Sequence, residues 1–544
     1  MKKNNYNEAA RVYSSRLSIL YKSMIIGFVS GAIVILYRLI LAEAEHLSFR
    51  MYEYLRSSPV YLPAALAVLG LLGYITGSLV SRNRLISGSG IPQVKGIIMG
   101  YFEGSWISTL LLKFAGGVMA IFSGLSLGRE GPSIQLGACV AQGIGNRLAK
   151  SRTEKKILIA GGASAGLSAA FNAPLAGTVF AMEEIFKYFS PVVLLSAMAS
   201  AMSADFLSKM VFGLEPVFSF NVTSSIPLHG YWALIIMGIV LGFLGAFYNK
   251  MLLLSQAIYR KASFLTPKTR VIVPFVLAGI LGVSFPLALG GGHIIIEQLN
   301  PSTGITMLIL ILCIKFLFSM ISFGSGAPGG IFFPLLIIGA LIGCIFGNIA
   351  ITHAGFSPEL FYNFIILAMA GYFTAIVRAP ITGIVLLVEM TGSFSHMLSL
   401  SVVCIAAYVT ADLLRSAPVY ESLLENQIAA IPSHEDKKDD GKKITIETVV
   451  HYGSVAEGKM LKDLDFPSGC LLIAVRRRGG DIIPDGNTVI LPEDSLIFMT
   501  DRCRESCLRD LIEETVTSQS IHIHKKGNPR VSFFVCLYIY IFIF

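Results

Sequence analysis

Gly128-Arg129-Glu130-Gly131-Pro132 places an acid and a base between glycines and a proline in the middle of an otherwise apolar stretch. Charged side chains at membrane depth cost at least ~2.5–3.5 kcal/mol each on insertion scales, so they face a cavity or a substrate path rather than lipid. Pro132 fits the first turn of a helix continuing through Ser133-Ile134-Gln135-Leu136-Gly137, which puts Glu130 where unpaired backbone N–H groups point outward. That end of a helix carries roughly half a positive charge and binds anions. The carboxylate of Glu130 would compete there with a mobile anion. The blander alternative is an acid that only satisfies its own helix N-terminus. A second such place is Gly324-Ser325-Gly326-Ala327-Pro328-Gly329-Gly330-Ile331-Phe332-Phe333-Pro334. Its glycines leave backbone amides uncovered while Ile331 and Phe332 keep the surroundings dry, which suits a chloride-sized anion. Close helix packing is the alternative there.

The rest of the chain must hold these segments at depth. Hydrophobic residues make up 54% and charged ones 14% of 544 residues, with a mean hydropathy of +0.69, so this is a polytopic membrane protein solvated by the lipid bilayer. The net charge of +9 comes from short basic groups between apolar runs, a positive-inside pattern and not a nucleic-acid surface. Lys2, Lys3, Arg11 and Arg16, then Arg147 to Lys156, then Arg260 to Arg270, are all expected on the cytoplasmic side, with both termini. The first apolar run is read as an uncleaved span in a bacterial-type inner membrane. The eight cysteines are scattered with no Cys-x-x-Cys pair, so neither a disulfide framework, a zinc site nor another metal site is indicated. No nucleophile with a paired base stands out either, and neither an enzyme nor a cofactor is expected.

Residues from about Arg16 to Tyr54 read as one long tilted helix and Leu62 to about Val80 as a second span, before Gly88-Ser89-Gly90-Ile91-Pro92 breaks the chain. The pieces after it, about Ser105–Ser123, Pro132–Leu148, Ile157–Phe171 and Pro174–Ile185, include several shorter than the ~20 residues of an upright span. Helices that stop inside the membrane are tolerated where the broken backbone is buried or lines a watery cavity. An internal repeat runs through them. Gly88-Ser89-Gly90 is echoed 202 positions on by Gly290-Gly291-Gly292, and Gly128, Pro132, Gly137 and Ala138 by Gly330, Pro334, Gly339 and Ala340. Ala173-Pro174-x-x-Gly177-x5-Glu183 recurs 206 on as Ala379-Pro380-x-x-Gly383-x5-Glu389. Two homologous halves follow, about residues 16–258 and 271–425, with a boundary in the loop Arg260–Arg270. Paired interrupted helices in matching halves place a transport site near the midplane, at converging helix N-termini. Glu130 aligns with Phe332, so the two ends cannot have the same role.

The membrane part, residues 1–431, ends shortly after Pro418-Val419-Tyr420-Glu421, and residues 432–443 form a charged, solvated linker. A small α/β domain follows over 444–518, with strands at Ile444–Val450, Cys470–Arg476, Thr488–Leu491 and Ser495–Thr500, a turn at Arg478–Asp481 and a helix at Arg504–Glu514. The tail 519–544, apolar from Val531, has no assigned role.

Together the segments Gly88-Ser89-Gly90-Ile91-Pro92, Gly128-Arg129-Glu130-Gly131-Pro132, Gly329-Gly330-Ile331-Phe332-Phe333-Pro334 and Pro418-Val419-Tyr420 resemble, nearly letter for letter, the signatures of the CLC family of chloride channels and proton-coupled chloride exchangers. The resemblance covers about residues 15–425 and includes Ala169-Ala170-Phe171-Asn172-Ala173-Pro174-Leu175-Ala176-Gly177. It implies an all-α membrane fold of two inverted-topology repeats of tilted and partial helices, and a homodimer with one pathway per subunit. Carried over, Ser89 and Tyr420 would give hydroxyls, and Ile331 and Phe332 amides, to a central chloride. Glu130 would be the gating glutamate, and Glu184 of the Glu183-Glu184 pair the inner proton glutamate. Serine at 89 rather than proline implies chloride over nitrate. The soluble domain resembles the RCK C-terminal or TrkA-C module through Gly453-Ser454-x3-Gly458-Lys459-x-Leu461-x-Asp463-Leu464 and Ile473-x-x-Arg476, with a small cytosolic ligand such as a cyclic dinucleotide as the kind of partner expected.

On residue chemistry alone, Ser89 could be a turn residue and Tyr420 a member of an interfacial aromatic belt. Glu183 reads as a surface or packing residue, and Lys113 and Glu389 are intramembrane charges without a nameable partner. The leading expectation is a chloride/proton antiporter. Its rivals are a passive chloride channel of the same fold, disfavoured by the carboxylate at Glu184, and a membrane-anchored ligand sensor, disfavoured by Glu130, Ser89 and Tyr420 together.

Overall fold

The computed structural model describes residues 2–516 apart from 188, 219, 221–224, 264, 302, 431–442, 451–453, 465, 467, 468, 478, 479, 502–507, 509, 510, 513 and 514, with the backbone alone of 2–16 and 481. The charged linker, nearly all of the Arg504–Glu514 helix, most of the expected turn at Arg478–Asp481 and the tail 519–544 thus lie outside the described residues. Contacts divide the chain into a large helical unit ending at Ala430 and a second unit formed chiefly by the chain from Ile431 onward.

The helical unit runs α1 (Lys2–Ser57), α2 (Leu62–Arg82), α3 (Ile91–Met99), α4 (Trp106–Phe122), α5 (Glu130–Leu148), α6 (Arg152–Phe171), α7 (Pro174–Phe180) and α8 (Pro191–Phe212). It continues with α9 (Tyr231–Lys261), α10 (Ile272–Ser284), α11 (His293–Gln298), α12 (Ile305–Gly324), α13 (Phe332–His353), α14 (Phe361–Val377), α15 (Pro380–Thr391), α16 (Met397–Leu413) and α17 (Val419–Ile428). Among the described residues, eight helical stretches are long and apolar enough to cross a membrane, and α4, α10 and α15 are shorter apolar pieces. The protein is a multi-pass membrane protein. The apolar part of α1, Leu17–Ser57, has 41 residues. At ~1.5 Å per residue it is about twice the hydrocarbon thickness and cannot stand upright in it.

Helices α1 to α8 map one for one onto α9 to α16. Helix α1 packs on α4, α5, α6 and α8, and α9 packs on α12, α13, α14 and α16 in the same pattern. The halves therefore divide between α8 and α9, and the basic loop Arg260–Arg270 lies inside the second half, after the counterpart of α1. Backbone conformation repeats as well: Gly88 (φ 65°) and Gly90 (φ 97°) match Gly290 (φ 61°) and Gly292 (φ 106°), left-handed turns that stop the chain before α3 and α11. Gly137 and Gly339 are packing positions, where a Cβ would run into the α6 backbone at Gly162 or the α14 backbone at Met369. Gly128 and Gly330, equivalent in the repeat, donate N–H to each other's carbonyl at 2.7 Å in an antiparallel bridge. A twofold axis between the halves produces that pairing.

Helix starts differ from the apolar reading in an instructive way. Helix α6 begins at Arg152, not Ile157, because Ser151 Oγ accepts from Glu154 N at 3.1 Å and so caps a polar first turn that hydropathy does not see. Helix α5 begins at Glu130, two residues before Pro132. The expected Pro174–Ile185 helix is α7 followed by a π-helical turn, Ala181–Phe186.

The second unit holds a four-stranded antiparallel sheet of order β1-β4-β2-β3, with β1 Lys443–Val449, β2 Cys470–Arg477, β3 Gly480–Ile482 and β4 Ser495–Asp501. Ile444, Ile446, Leu472, Val475, Leu496 and Phe498 alternate onto its buried face. Thr488–Leu491 is not a strand: Val489 makes only an isolated bridge to Met460. Thr488 and Ile490, on either side of it, bond to the backbone of Gly458, Lys459 and Leu461, and Leu491 N donates to Asp494. The third strand lies instead at Gly480–Ile482, where a turn was expected. Asp494, buried, accepts from Arg477 Nε and Nη2 at 2.7 Å each and from Leu491 N at 2.8 Å. Breaking a buried pair leaves a partner uncompensated. Asp494→Ala is expected to destabilise this unit by about 3 kcal/mol, read as faster amide exchange along the β1–β4 ladder; unchanged protection there would refute the role.

Candidate functional site

Each of the four glycine- or proline-bearing segments ends on a helix N-terminus: α3 at Ile91, α5 at Glu130, α13 at Phe332 and α17 at Val419. Direct contacts join the first three. Gly329 N donates to Gly88 O at 3.0 Å, the Gly128–Gly330 pair ties α5 to α13, and a Cβ on Gly131 would meet Ser89 Cβ and its carbonyl at 2.9 Å. The N-termini of α3, α5 and α13 are thereby brought together, and with them the positive ends of their dipoles.

Glu130 is 1% exposed. Its carboxylate meets the backbone N–H of Phe333 in the first turn of α13, as well as its own N–H, and Arg129 Nε stands 3.9 Å from Oε1. Oε2 has no hydrogen-bond partner among the described residues. Ile331 and Phe332 are fully buried, and neither N–H donates to a backbone carbonyl among the described residues. The Phe332 ring is packed by Phe373, Phe171 and Phe180 at centroid distances of 4.8, 5.3 and 6.0 Å, which fixes the start of α13 in an apolar cage. Ser89, buried, accepts from Ile91 N at 3.3 Å, a turn-residue contact that leaves its hydroxyl proton uncommitted. Tyr420 is fully buried, which excludes an interfacial belt, and its hydroxyl has no partner among the described residues. It lies within electrostatic range of both Glu130 and Glu184.

Glu184 is 0% exposed and sits on the π-turn. Lys95 Nζ of α3 is 3.5 Å from its Oε1, and Lys187 Nζ is 3.5 Å from its Oε2. Both lysines also reach Glu421, at 3.3 and 2.7 Å. Lys95 and Lys187 are absent from the sequence reading, and Glu421 enters it only as a marker for the end of the membrane part. Lys95 carried a signal, a lone charge in the apolar segment Ile91–Met99 only six residues after Ser89.

The remaining intramembrane charges have partners after all. Lys113 Nζ donates to the carbonyls of Ile86 and Gly88 at 3.0 and 2.6 Å, closing the turn before α3. Lys315, 202 positions on, does the same to Ala288 and Gly290 at 3.0 and 2.6 Å before α11. Glu389 accepts from Leu175 N and Ala176 N at 3.0 and 2.7 Å, capping α7. Its repeat mate Glu183 accepts from Ile381 N, Thr382 N and Thr382 Oγ1 at 3.2, 2.7 and 2.7 Å, capping α15. Each half supplies the cap of the other.

The family description "Voltage gated chloride channel" matches residues 72–412. The chain belongs to the CLC family. Within it, the chain is 32% identical over 443 residues to the H+/Cl− exchange transporter ClcA of Vibrio parahaemolyticus, covering 78% of this chain and 93% of that one. It is 33% identical over 448 residues to ClcA of Vibrio cholerae, covering 79% and 93%. The crystal structure of a slow cyanobacterial Cl−/H+ antiporter superposes with a TM-score of 0.71 at 30% identity, covering 76% of this chain and 98% of that one. A CLC-type fluoride/proton antiporter shares the fold, with a TM-score of 0.63 at 22% identity over 74% and 97%. The TrkA-C domain description matches residues 446–509, so this CLC protein carries a TrkA-C domain after its membrane part.

Removing either glutamate cap exposes a different number of donors, and an unsatisfied buried donor costs about 1–3 kcal/mol. Glu183→Ala is thus expected to lower the thermal midpoint of the detergent-purified protein, and to lower it further than Glu389→Ala does. Glu183→Ala at wild-type stability would deny the capping role.

Proposed function

We propose that this CLC protein is a secondary active transporter that exchanges chloride for protons. The observation that carries the reading is the seat of Glu130: a buried carboxylate meets the Phe333 N–H in the first turn of α13, a donor that would equally hold an anion and that lies next to the Ile331 and Phe332 amides. A carboxylate and a chloride then compete for one place. Ionised, Glu130 occupies it. Protonated, it carries no charge to hold there and vacates the place for chloride. Movement of either ion therefore requires the other. The named activities of the two Vibrio relatives and of the cyanobacterial antiporter support the same reading.

In this mechanism Ser89 and Tyr420 donate hydroxyl hydrogen bonds to chloride, and the amides of Ile331 and Phe332 complete the site. A buried tyrosine hydroxyl without a protein partner is costly unless something accepts from it, and an anion between Tyr420 and α13 would. Glu184 relays protons to Glu130 from the opposite end without touching chloride. A passive channel would have no use for Glu184, a fully buried carboxylate held by two lysines. The basic loops support both termini and the TrkA-C domain lying on the cytoplasmic side of a bacterial-type inner membrane, where that domain would bind a small cytosolic ligand and bias transport. The working unit is a homodimer, and no enzymatic chemistry is required of it.

The deciding experiment is reconstitution in liposomes under a chloride gradient, with proton movement followed independently. Uphill proton movement is expected; its absence in the wild-type protein would sink the exchange reading in favour of a channel. Glu130→Ala should leave a chloride flux without proton movement, and Glu184→Gln, which keeps size and polarity but cannot ionise, should stop protons while chloride still flows. Normal proton pumping by Glu184→Gln would move the relay elsewhere.

The anion site has its own test. A hydrogen bond to a charge is worth about 1.5–3 kcal/mol, so Tyr420→Ala should weaken chloride binding measured by calorimetry by roughly tenfold or more. An unaltered titration would remove Tyr420 from the site.

A further inference from the structure

Glu184 is fully buried, so on the exchange reading, on which this inference rests, its protons must arrive through a neighbour. The groups that face it are Lys95 from α3, Lys187 at the end of the π-turn and Glu421 from α17, together with the Tyr420 hydroxyl. Lys95 is 2% exposed and, like Lys187, touches two carboxylates. Both ammonium groups, Lys95 buried and Lys187 32% exposed, bridge Glu184 and Glu421 and so form the cationic frame that holds the two acids. Tyr420 is buried. Glu183, the adjacent acid, is committed to the first turn of α15 by three hydrogen bonds. Glu421 remains, an acid whose side chain is 34% exposed.

We propose that Glu421 is the entrance of the proton route: it takes a proton from solvent and passes it to Glu184. The net step breaks the O–H bond of the Glu421 carboxylic acid and forms one on the Glu184 carboxylate, leaving Glu421 ionised again. The two lysines make this step inexpensive. With both glutamates ionised the four groups sum to zero charge, and with one proton added they sum to plus one, whichever carboxylate holds it. The transfer moves charge only within a cluster whose total is fixed, which matters most where the surroundings screen poorly. The cluster also reports to the anion path. Glu184, a member of the cluster, lies within electrostatic range of the Tyr420 hydroxyl assigned to chloride, so the positive charge gained with the proton favours an anion there.

The test uses the full chain in liposomes with chloride and proton fluxes measured separately. Glu421→Gln is expected to cut proton flux about tenfold or more while chloride flux falls far less, and Glu421→Asp, which restores the acid on a shorter arm, to recover most of the proton flux. A wild-type proton-to-chloride ratio in Glu421→Gln overturns the proposal, as does Glu421→Asp performing no better than Glu421→Gln. If Glu421→Gln loses both fluxes, the charge-balanced double variant Lys187→Gln/Glu421→Gln decides. Chloride flux returning without protons supports the entrance role; both fluxes returning, or neither, overturns it. Failure of the exchange reading itself would show in the wild-type control, which would then move no protons uphill.

Discussion

A helix that stops inside a membrane leaves N–H or C=O groups that no water or lipid can satisfy, and this constraint governs the fold. Helices α3, α5, α7, α11, α13 and α15 all start or stop beside buried backbone. The chain answers with long-range partners rather than local caps. Lys113 and Lys315 close the turns before α3 and α11, Glu183 and Glu389 cap helices of the opposite half, and Gly128 and Gly330 pair with each other. At about 1–3 kcal/mol for each buried group left unmatched, these partners rank with the larger single contributions to stability. The glutamate caps and the glycine pair also lock the two halves together, since each completes a helix end of one half with a group from the other, whereas the lysines act within their own half.

One junction is completed differently. At the N-termini of α5 and α13 the acceptor is Glu130, a side chain able to neutralise itself by taking a proton. A carboxylate that caps a helix permanently, as Glu183 does, is bound by several donors at 2.7–3.2 Å. Glu130 has one oxygen without any hydrogen-bond partner among the described residues and an arginine no nearer than 3.9 Å. Its hold is looser, as an exchangeable occupant requires. The aromatic packing of Phe332 supplies the complementary property: the donors stay fixed whether the carboxylate or another anion sits on them.

Much of this was legible from the sequence because its signal is local. Broken helices announce themselves through glycine and proline, and the repeat through residues that must be glycine to reach φ values of 61–106° or to let helices touch. The segments carrying Ser89, Glu130, Ile331, Phe332 and Tyr420 all fall on helix N-termini for the same reason. What was not legible depends on contacts that residue type does not show, from 25 positions away for Lys113 to 214 for Glu389. Lys113 and Glu389 were charges without partners because the partner of one is a pair of carbonyls and that of the other a helix start in the opposite half. The half boundary was misplaced because the basic loop after α9 looks like a domain join, whereas α9 packs as the counterpart of α1. In the small domain, Thr488–Leu491 has strand composition, but its backbone bonds to Gly458–Leu461 rather than to the sheet, a tertiary contact that overrides that propensity.

The repeat separates support from chemistry. Where the two halves carry the same residue, as at Lys113 and Lys315, Glu183 and Glu389, or Gly128 and Gly330, both copies do the same structural task through equivalent backbone contacts. Where they differ, the odd member belongs to the transport reading: Glu130 faces Phe332 in the alignment, Ser89 faces Gly291, Lys95 faces Glu297 and Glu184 faces Met390. A symmetric frame with identical residues at every position would bind an anion equally from both halves and would have no direction in which to pass a proton. Adjacent Glu183 and Glu184 show how closely the two kinds of position can lie. The π-turn that carries them aims one acid at the α15 backbone, the symmetric capping place, and the other at Lys95 and Lys187. Residue type alone could not have told them apart, because the difference lies in which element each side chain meets.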